Sequence, residues 1–325
     1  VRKAEGGTGT VLSAQLGRAC LVLAAAALVH SCAFVDRSSR MALVYGVSRY
    51  ITGPENDGGG PNLRFCDDDA DAMARLFEAN GYATLRRISG DTNPTPELPS
   101  KAQILADLAA LPAGLDRVVL YYSGHGDWDE AAGSHCIMPY GSVTGTESDW
   151  DFDPAAFMTS EEMHAALAAT GVSQIVLVLD ACFSGGFVQD GGGVELLPPA
   201  YGPEDVYGGI PLPWPFSGEL APPLLMEFMG RGSDASGAIV MAAAGAEEFS
   251  WEDAAAGHGV FTAALLGAPA AADANDDGTV TALEAYAYAA ERVNEEWNEM
   301  LGSSYYDFMP RLTPGSLDYA LFSAE

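Results

Sequence analysis

From Met41 onward, short apolar runs alternate with segments whose apolar residues recur at helical spacing. M-A-L-V-Y-G-V at 41–47 is a strand-like run that ends in a Gly/Pro/Asn loop, Gly53 to Asn62. Asp67 to Asn80 carries Ala70, Met73, Ala74 and Phe77 three or four apart behind acidic residues, and Gly81 closes it, which predicts a helix. A strand near Ala83 to Ile88, a helix near Lys101 to Leu111 and a buried-type strand V-V-L-Y-Y at 118–122 follow. After an irregular stretch come a helix near Ser160 to Ala169, the strongest strand of the chain, Q-I-V-L-V-L at 174–179, and a strand A-I-V-M-A at 238–242. Continuous β-branched runs separated by helices need cover on both faces. The pattern therefore predicts a single α/β three-layer sandwich, α/β/α, around a mostly parallel central sheet.

Upstream of this pattern, Arg2, Lys3 and Arg18 precede an uncharged apolar run, Ala19 to Val29. That run is shorter than the roughly 20 residues needed to span a bilayer and has the size of a signal-peptide core. It ends V-H-S-C at 29–32, which resembles a bacterial lipobox with Cys32 as the lipidated residue, although His30 fits its position poorly. Ser31-Cys32-Ala33 also reads as a small-x-small cleavage site, which leaves plain secretion or an uncleaved anchor open. Residues 1–32 are expected to be a signal segment, 33–40 a short connector, and 41–325 an exported domain, held near a membrane only through that lipid. Cys20 and Cys32 then leave Cys66, Cys136 and Cys182 in the domain. Three cysteines imply no disulfide framework and at least one free thiol.

The net charge of −30 is uneven: 12 basic and 13 acidic residues through Arg117, then 3 basic and 32 acidic residues from Val118 on. A chain this acidic does not bind nucleic acid, whose phosphates require Lys and Arg, nor an anionic bilayer by charge alone. With 48% hydrophobic residues it is not a disordered acidic tail either.

In open parallel sheets, chemistry collects at the carboxyl ends of the strands. Y-Y-S-G-H-G at 121–126 puts His125 just past one strand, and L-D-A-C-F-S-G-G at 179–186 puts Cys182 just past the next. A thiol needs a base to react at neutral pH, and imidazole has a suitable pKa. The backbone N–H groups of Cys182 and Gly126 are the obvious pair for an oxyanion hole. A buried cysteine and a core histidine would be the plain reading of each residue alone; two strand ends with neighbouring glycines favour the chemical one. His258, in a second G-H-G at 257–259, follows an Ala/Gly loop and reads as structural. His135 and His164 lack a strand end, and Cys136 reads as core.

These motifs resemble the caspase and metacaspase peptidases, whose signature pairs a strand ending S-G-H-G with a later strand ending D-x-C-x-S-G. The similarity extends over most of 41–325. L-R-F-C-D-D-D-A-D-A-M at 63–73 resembles the metacaspase stretch L-x-G-C-x-N-D-A-x-x-M, and G-H-G-V-F-T-A-A-L-L at 257–266 resembles the bacterial G-V-F-T-x-A-L-L segment. M-P-R-L-T at 309–313, followed by D-Y-A-L-F, resembles the closing strand. The resemblance implies a cysteine endopeptidase with His125 as base and Cys182 as nucleophile. It also implies a substrate-binding pocket for the P1 residue, lined by Cys66, Asp69, Ser123 and Asp180. Two half-buried carboxylates favour a cation, hence Arg or Lys at P1 and protein or peptide substrates with basic residues. Arg64 gives a competing signal for Asp at P1, and Asp69 alone also reads as a helix-terminal charge.

By the same resemblance, 41–183 is the large portion, 184–237 a Gly/Pro-rich linker and 238–325 the small portion. Arg231 is the only Lys or Arg between Arg117 and Arg292, which makes it the expected site of self-cleavage, or else a lone surface arginine. D-A-N-D-D-G-T-V-T-A-L-E at 273–284 has EF-hand spacing: Asp273, Asn275, Asp277, Gly278, the Thr279 carbonyl and Glu284. An all-oxygen set of this kind suits Ca²⁺; the plain reading is an Asp/Asn-rich turn capping a helix. Glu161, Glu162 and Asp190 match the calcium-activation positions of metacaspases only loosely, and that site is not carried over. A catalytically idle calcium-binding surface protein, or a peptidase with Asp at P1, are the alternative functions.

Overall fold

The computed structural model describes residues 39–325 except 54–60, 92, 147, 189–237, 300–306 and 314–317. The signal-like segment with Cys32, and the linker beyond Val188 with Arg231, lie outside the described residues. Eleven elements position the site: β1 (Arg40–Val47), α1 (Cys66–Ala79), β2 (Ala83–Ser89), α2 (Lys101–Ala109), β3 (Arg117–Ser123), α3 (Ser160–Ala169), β4 (Gln174–Asp180), β5 (Ala238–Ala242), α4 (Val260–Leu266), α5 (Ala282–Val293) and β6 (Arg311–Leu312). The strands form one sheet in the order β6-β5-β4-β3-β1-β2, parallel except for β6, which runs antiparallel to β5.

Strand alternation sorts each apolar run onto two faces. Ala42, Val44, Val119, Tyr121, Val176 and Val178 pack with Met73 and Phe77 of α1, Phe261 of α4 and Tyr286 of α5. Leu43, Tyr45, Leu120, Tyr122, Leu177 and Leu179 pack with Ile104 and Leu108 of α2 and Met163 and Leu167 of α3. Helices thus cover both faces, and the sheet is the expected mostly parallel one.

Local signals explain the helix ends. α1 opens with Asp67, Asp68 and Asp69 against the positive end of its dipole, and Gly81 beyond it takes a φ of +78°, open to glycine without strain. α3 and α5 each begin with a capping box, Thr159 with Glu162 and Thr281 with Glu284.

Three stretches differ from expectation. The irregular region after β3 contains a three-stranded antiparallel sheet, Gly126–Asp129 with Ser134–Ile137 and Met158–Thr159, and a hairpin, Val143–Thr146 with Asp149–Phe152. Strands of two to four residues rich in Gly, Asp and Ser are too short to show a period. Ser184–Phe187, the expected start of the linker, is a 3-10 turn with all four residues buried. The D-Y-A-L-F segment also leaves the main sheet: Ala320–Ser323 pairs antiparallel with Thr279–Thr281. Among the described residues no helix is long and apolar enough to cross a membrane.

Candidate active site

Strand register assembles the site. Gly46 of β1 pairs with Ser123 of β3, and Ser123 pairs with Asp180 of β4, so the carboxyl ends of three adjacent strands lie level. His125 and Cys182 each follow two residues later. An open pocket of about 50 Å³ there is lined by Cys66, Asp69, Ser123, His125, Asp180 and Cys182, the six residues expected for catalysis and P1 binding. Ser250, Trp251, Glu252 and Gly259 line it from the later part of the chain.

His125 is held from two sides. Its backbone N–H donates to the Tyr50 hydroxyl at 2.8 Å, and the Tyr50 ring lies 4.9 Å from the imidazole. Its Nε2 lies 2.7 Å from the Pro61 carbonyl oxygen, which can only accept, so Nε2 carries the proton and Nδ1 is left as the basic nitrogen. Burial lowers the His125 pKa, which keeps the ring neutral. The Cys182 thiol lies 3.7 Å from the Ser250 carbonyl and is pushed up to about 11, chiefly by burial, with Asp180 and Asp127 adding repulsion. Both groups therefore rest uncharged. The turn carrying the thiol is tight: Phe183 has a φ of +55°, uncommon for a bulky residue. A Cβ on Gly126 would fall 2.2 Å from the Cys182 carbonyl oxygen, which explains glycine after His125.

The floor of the pocket is acidic. Asp69, fully buried, accepts from Ser123 Oγ at 2.9 Å and from the Gly259 N–H at 3.1 and 3.2 Å. Asp180 accepts from Ser250 Oγ at 2.7 Å, Thr262 Oγ1 at 2.7 Å and the Thr262 N–H at 3.1 Å. Burial raises both carboxyls, Asp69 to about 7. A third carboxylate, Glu252, accepts from the Phe65 N–H at 2.8 Å and the Arg64 N–H at 3.1 Å, with Cys66 Sγ at 3.8 Å. Burial raises it as well. The Arg64 guanidinium sits over the Phe65 ring, 5.0 Å from its centroid.

Glu252 and His258 were not among the expected site residues. His258, read above as structural, has its Nδ1 2.8 Å from Asp69 Oδ1. The two residues arrive on paired strands, Glu252–Asp253 and His258–Gly259, each only two residues long. The repeated G-H-G was the available signal, and the short strands hid it. Cys136 is buried in the strand Ser134–Ile137, as core. His135 bonds through Nε2 to the Ala246 carbonyl at 3.0 Å and packs on Gly186, bracing the turn after Cys182.

The loop at 273–284 closes on its own amides. Asp273 accepts from the N–H groups of Asp277 and Gly278, Asn275 from Asp277, and Asp277 from Thr279. Glu284 accepts from Ala274 and Thr281. Gly278 has a φ of +84°, the turn that EF-hand spacing assigns to glycine. Among the described residues no three His, Cys, Asp or Glu side chains converge on a metal-sized point.

A family model described as the caspase domain matches residues 39–313. Caspase-1 from Spodoptera frugiperda is a similar solved structure, with 12% identity, a TM-score of 0.45, and coverage of 89% of this chain and 92% of that one. No curated protein matches. The family match spans β1 to β6 and with them His125, Cys182 and every lining residue of the pocket, and on that ground the chain belongs to the caspase domain family of cysteine peptidases.

Proposed function

We propose that the protein is a cysteine endopeptidase that cuts after Arg or Lys, with His125 and Cys182 as its catalytic dyad. The observation that carries the specificity is the acidic floor: Asp69, Asp180 and Glu252 line the pocket that His125 and Cys182 border. Carboxylates buried this deeply are stabilised by a cation and repel an acidic side chain. In the reaction, His125 Nδ1 takes the thiol proton as Cys182 Sγ attacks the scissile carbonyl carbon. The N–H groups of Cys182 and Gly126 receive the charge forming on the carbonyl oxygen. The proton then passes to the leaving amine. Water, deprotonated by the same imidazole, hydrolyses the thioester and restores the thiol.

Three further readings accompany this one. Calcium would be held by Asp273, Asn275, Asp277, the Thr279 carbonyl and Glu284, whose oxygen donors and spacing support it; Glu284 would leave the Ala274 and Thr281 amides to bind. Self-cleavage would fall after Arg231. Export, with Cys32 as a lipid anchor, rests on residues 1–32 alone. The deciding experiment compares wild type and Cys182→Ala on Arg, Lys and Asp reporter peptides, with and without calcium. Hydrolysis of Arg or Lys peptides lost in Cys182→Ala supports the proposal. Preference for the Asp peptide, or no turnover in any combination, overturns it.

A further inference from the structure

A cation-forming side chain is bonded to a carboxylate of the acidic pocket from just outside its lining. Among the described residues, His258 is the side chain of that kind bonded to the floor, through Nδ1 to Asp69 Oδ1 at 2.8 Å. Asp69 is wholly inaccessible, whereas the His258 side chain keeps 24% of its surface, so the imidazole bridges a buried carboxylate and the solvent. Gly259 makes this arrangement possible. Its N–H donates to both Asp69 oxygens, and a Cβ there would fall 2.4 Å from Asp180 Oδ2 and 3.0 Å from Asp69 Oδ2. The backbone after His258 is therefore wedged between the two aspartates that would meet a P1 cation.

We propose that His258 is the internal counter-ion of the P1 pocket, a positioning residue whose proton competes with the cation of the substrate. This inference rests on the basic-P1 reading. His258 and Asp69 share their protons as a pair. With one proton between them the pair is neutral overall, and with none it carries a full negative charge. Loss of the last proton leaves the pocket more acidic and tightens its hold on guanidinium or amidinium. The surrounding charges favour the protonated pair: Asp68 on α1 and Asp180 at the end of β4 both act on the imidazole, Asp253 stands opposite His258 in the strand pair with its carboxylate accepting from the Ala255 N–H, and Glu252 lines the same pocket. The bond to Asp69 foremost raises the His258 pKa above its ordinary 6.5, so the pair holds its last proton to higher pH than a free imidazole would. As pH rises and that proton leaves, affinity for a basic P1 group increases.

The experiment uses benzamidine, a P1-sized cation that undergoes no cleavage, with the full chain carrying Cys182→Ala. Its Kd is measured by calorimetry from pH 5.5 to 8.5, with and without His258→Asn, whose amide nitrogen can replace Nδ1 but never charges. The expected result is a roughly tenfold tightening across this range with His258 present, equivalent to about one pK unit of coupling, and a flat profile with Asn. NMR titration of the His258 ring supplies a readout that does not depend on the variant folding. Saturating benzamidine should lower the His258 pKa by the same factor, because coupling is reciprocal. Equal pH profiles with and without His258, or a His258 pKa unmoved by bound benzamidine, would overturn the inference. If benzamidine fails to bind at every pH while an Asp-containing peptide binds, the basic-P1 reading falls instead, and the inference with it.

Discussion

Alkylation of Cys182 by iodoacetamide should be slow at neutral pH and should accelerate tenfold per pH unit well past the point where a free thiol levels off. Burial, reinforced by Asp180 and Asp127, puts this thiol at about 11. At pH 7 about one molecule in 10⁴ then carries a thiolate, against roughly 3 in 100 for a free cysteine of pKa about 8.5, a difference of about 300-fold in reactive form. The assay follows carbamidomethylation of the Cys182 peptide by mass spectrometry from pH 6.5 to 9.5, with Cys182→Ala as blank. The neighbouring thiols interfere little, since burial raises Cys66 well above its usual value and Cys136 to about 12. The consequence for turnover follows directly. A neutral thiol needs a neutral imidazole, and burial lowers His125, so the dyad's own contribution to kcat should be lost only on the acid side, as His125 takes up a proton, and should hold on the alkaline side beyond the range of an ordinary thiol. A preformed thiolate–imidazolium pair would behave oppositely, with fast alkylation at pH 7 and a thiolate absorbance near 240 nm. Either observation would refute the picture of a dyad that ionises only as substrate arrives.

Other consequences can be measured separately. Glu252→Gln removes one charge of the acidic floor at constant size and should lower kcat/KM for Arg peptides by about 10- to 100-fold, mainly through KM, as expected for a charged hydrogen bond worth ~1.5–3 kcal/mol; an unchanged value would remove Glu252 from substrate binding. Gly126→Ala should abolish activity and cost roughly 1–3 kcal/mol in urea denaturation, because its Cβ meets the Cys182 carbonyl at 2.2 Å. Calcium should raise the melting temperature of wild type and not of Glu284→Gln; identical wild-type curves with and without calcium would count against the loop. N-terminal sequencing of the smaller self-cleavage fragment should begin at Gly232, and any other start would reject Arg231.

Legibility in the sequence followed the length of each element and the source of its stability. Gln174–Asp180 and Arg117–Ser123 are continuous apolar runs because helices cover both faces, so their extent could be read to within a residue or two. His125 and Cys182 were legible for the same reason: each sits two residues past a strand whose end the pattern marks. Asp69, Ser123 and Asp180 came from family motifs, and register then placed Ser123 and Asp180 side by side. Glu252 and His258 had no such support. They sit on two-residue strands held by contacts at the start of α1, the Arg64 and Phe65 amides just before it for Glu252 and the Asp69 carboxylate in its first turn for His258. Those partners lie 187 to 189 residues away in the chain, a separation at which local periodicity carries no information. The same distance has a functional corollary. The acidic floor is completed by residues that follow position 237, whereas His125, Cys182, Asp69 and Asp180 all precede position 189. Any change in how that later segment docks would alter P1 binding, through Glu252 on the Phe65 amide or His258 on Asp69, and would also reach the nucleophile, whose thiol lies against the Ser250 carbonyl and whose neighbour Phe183 donates its N–H to the Glu248 carbonyl.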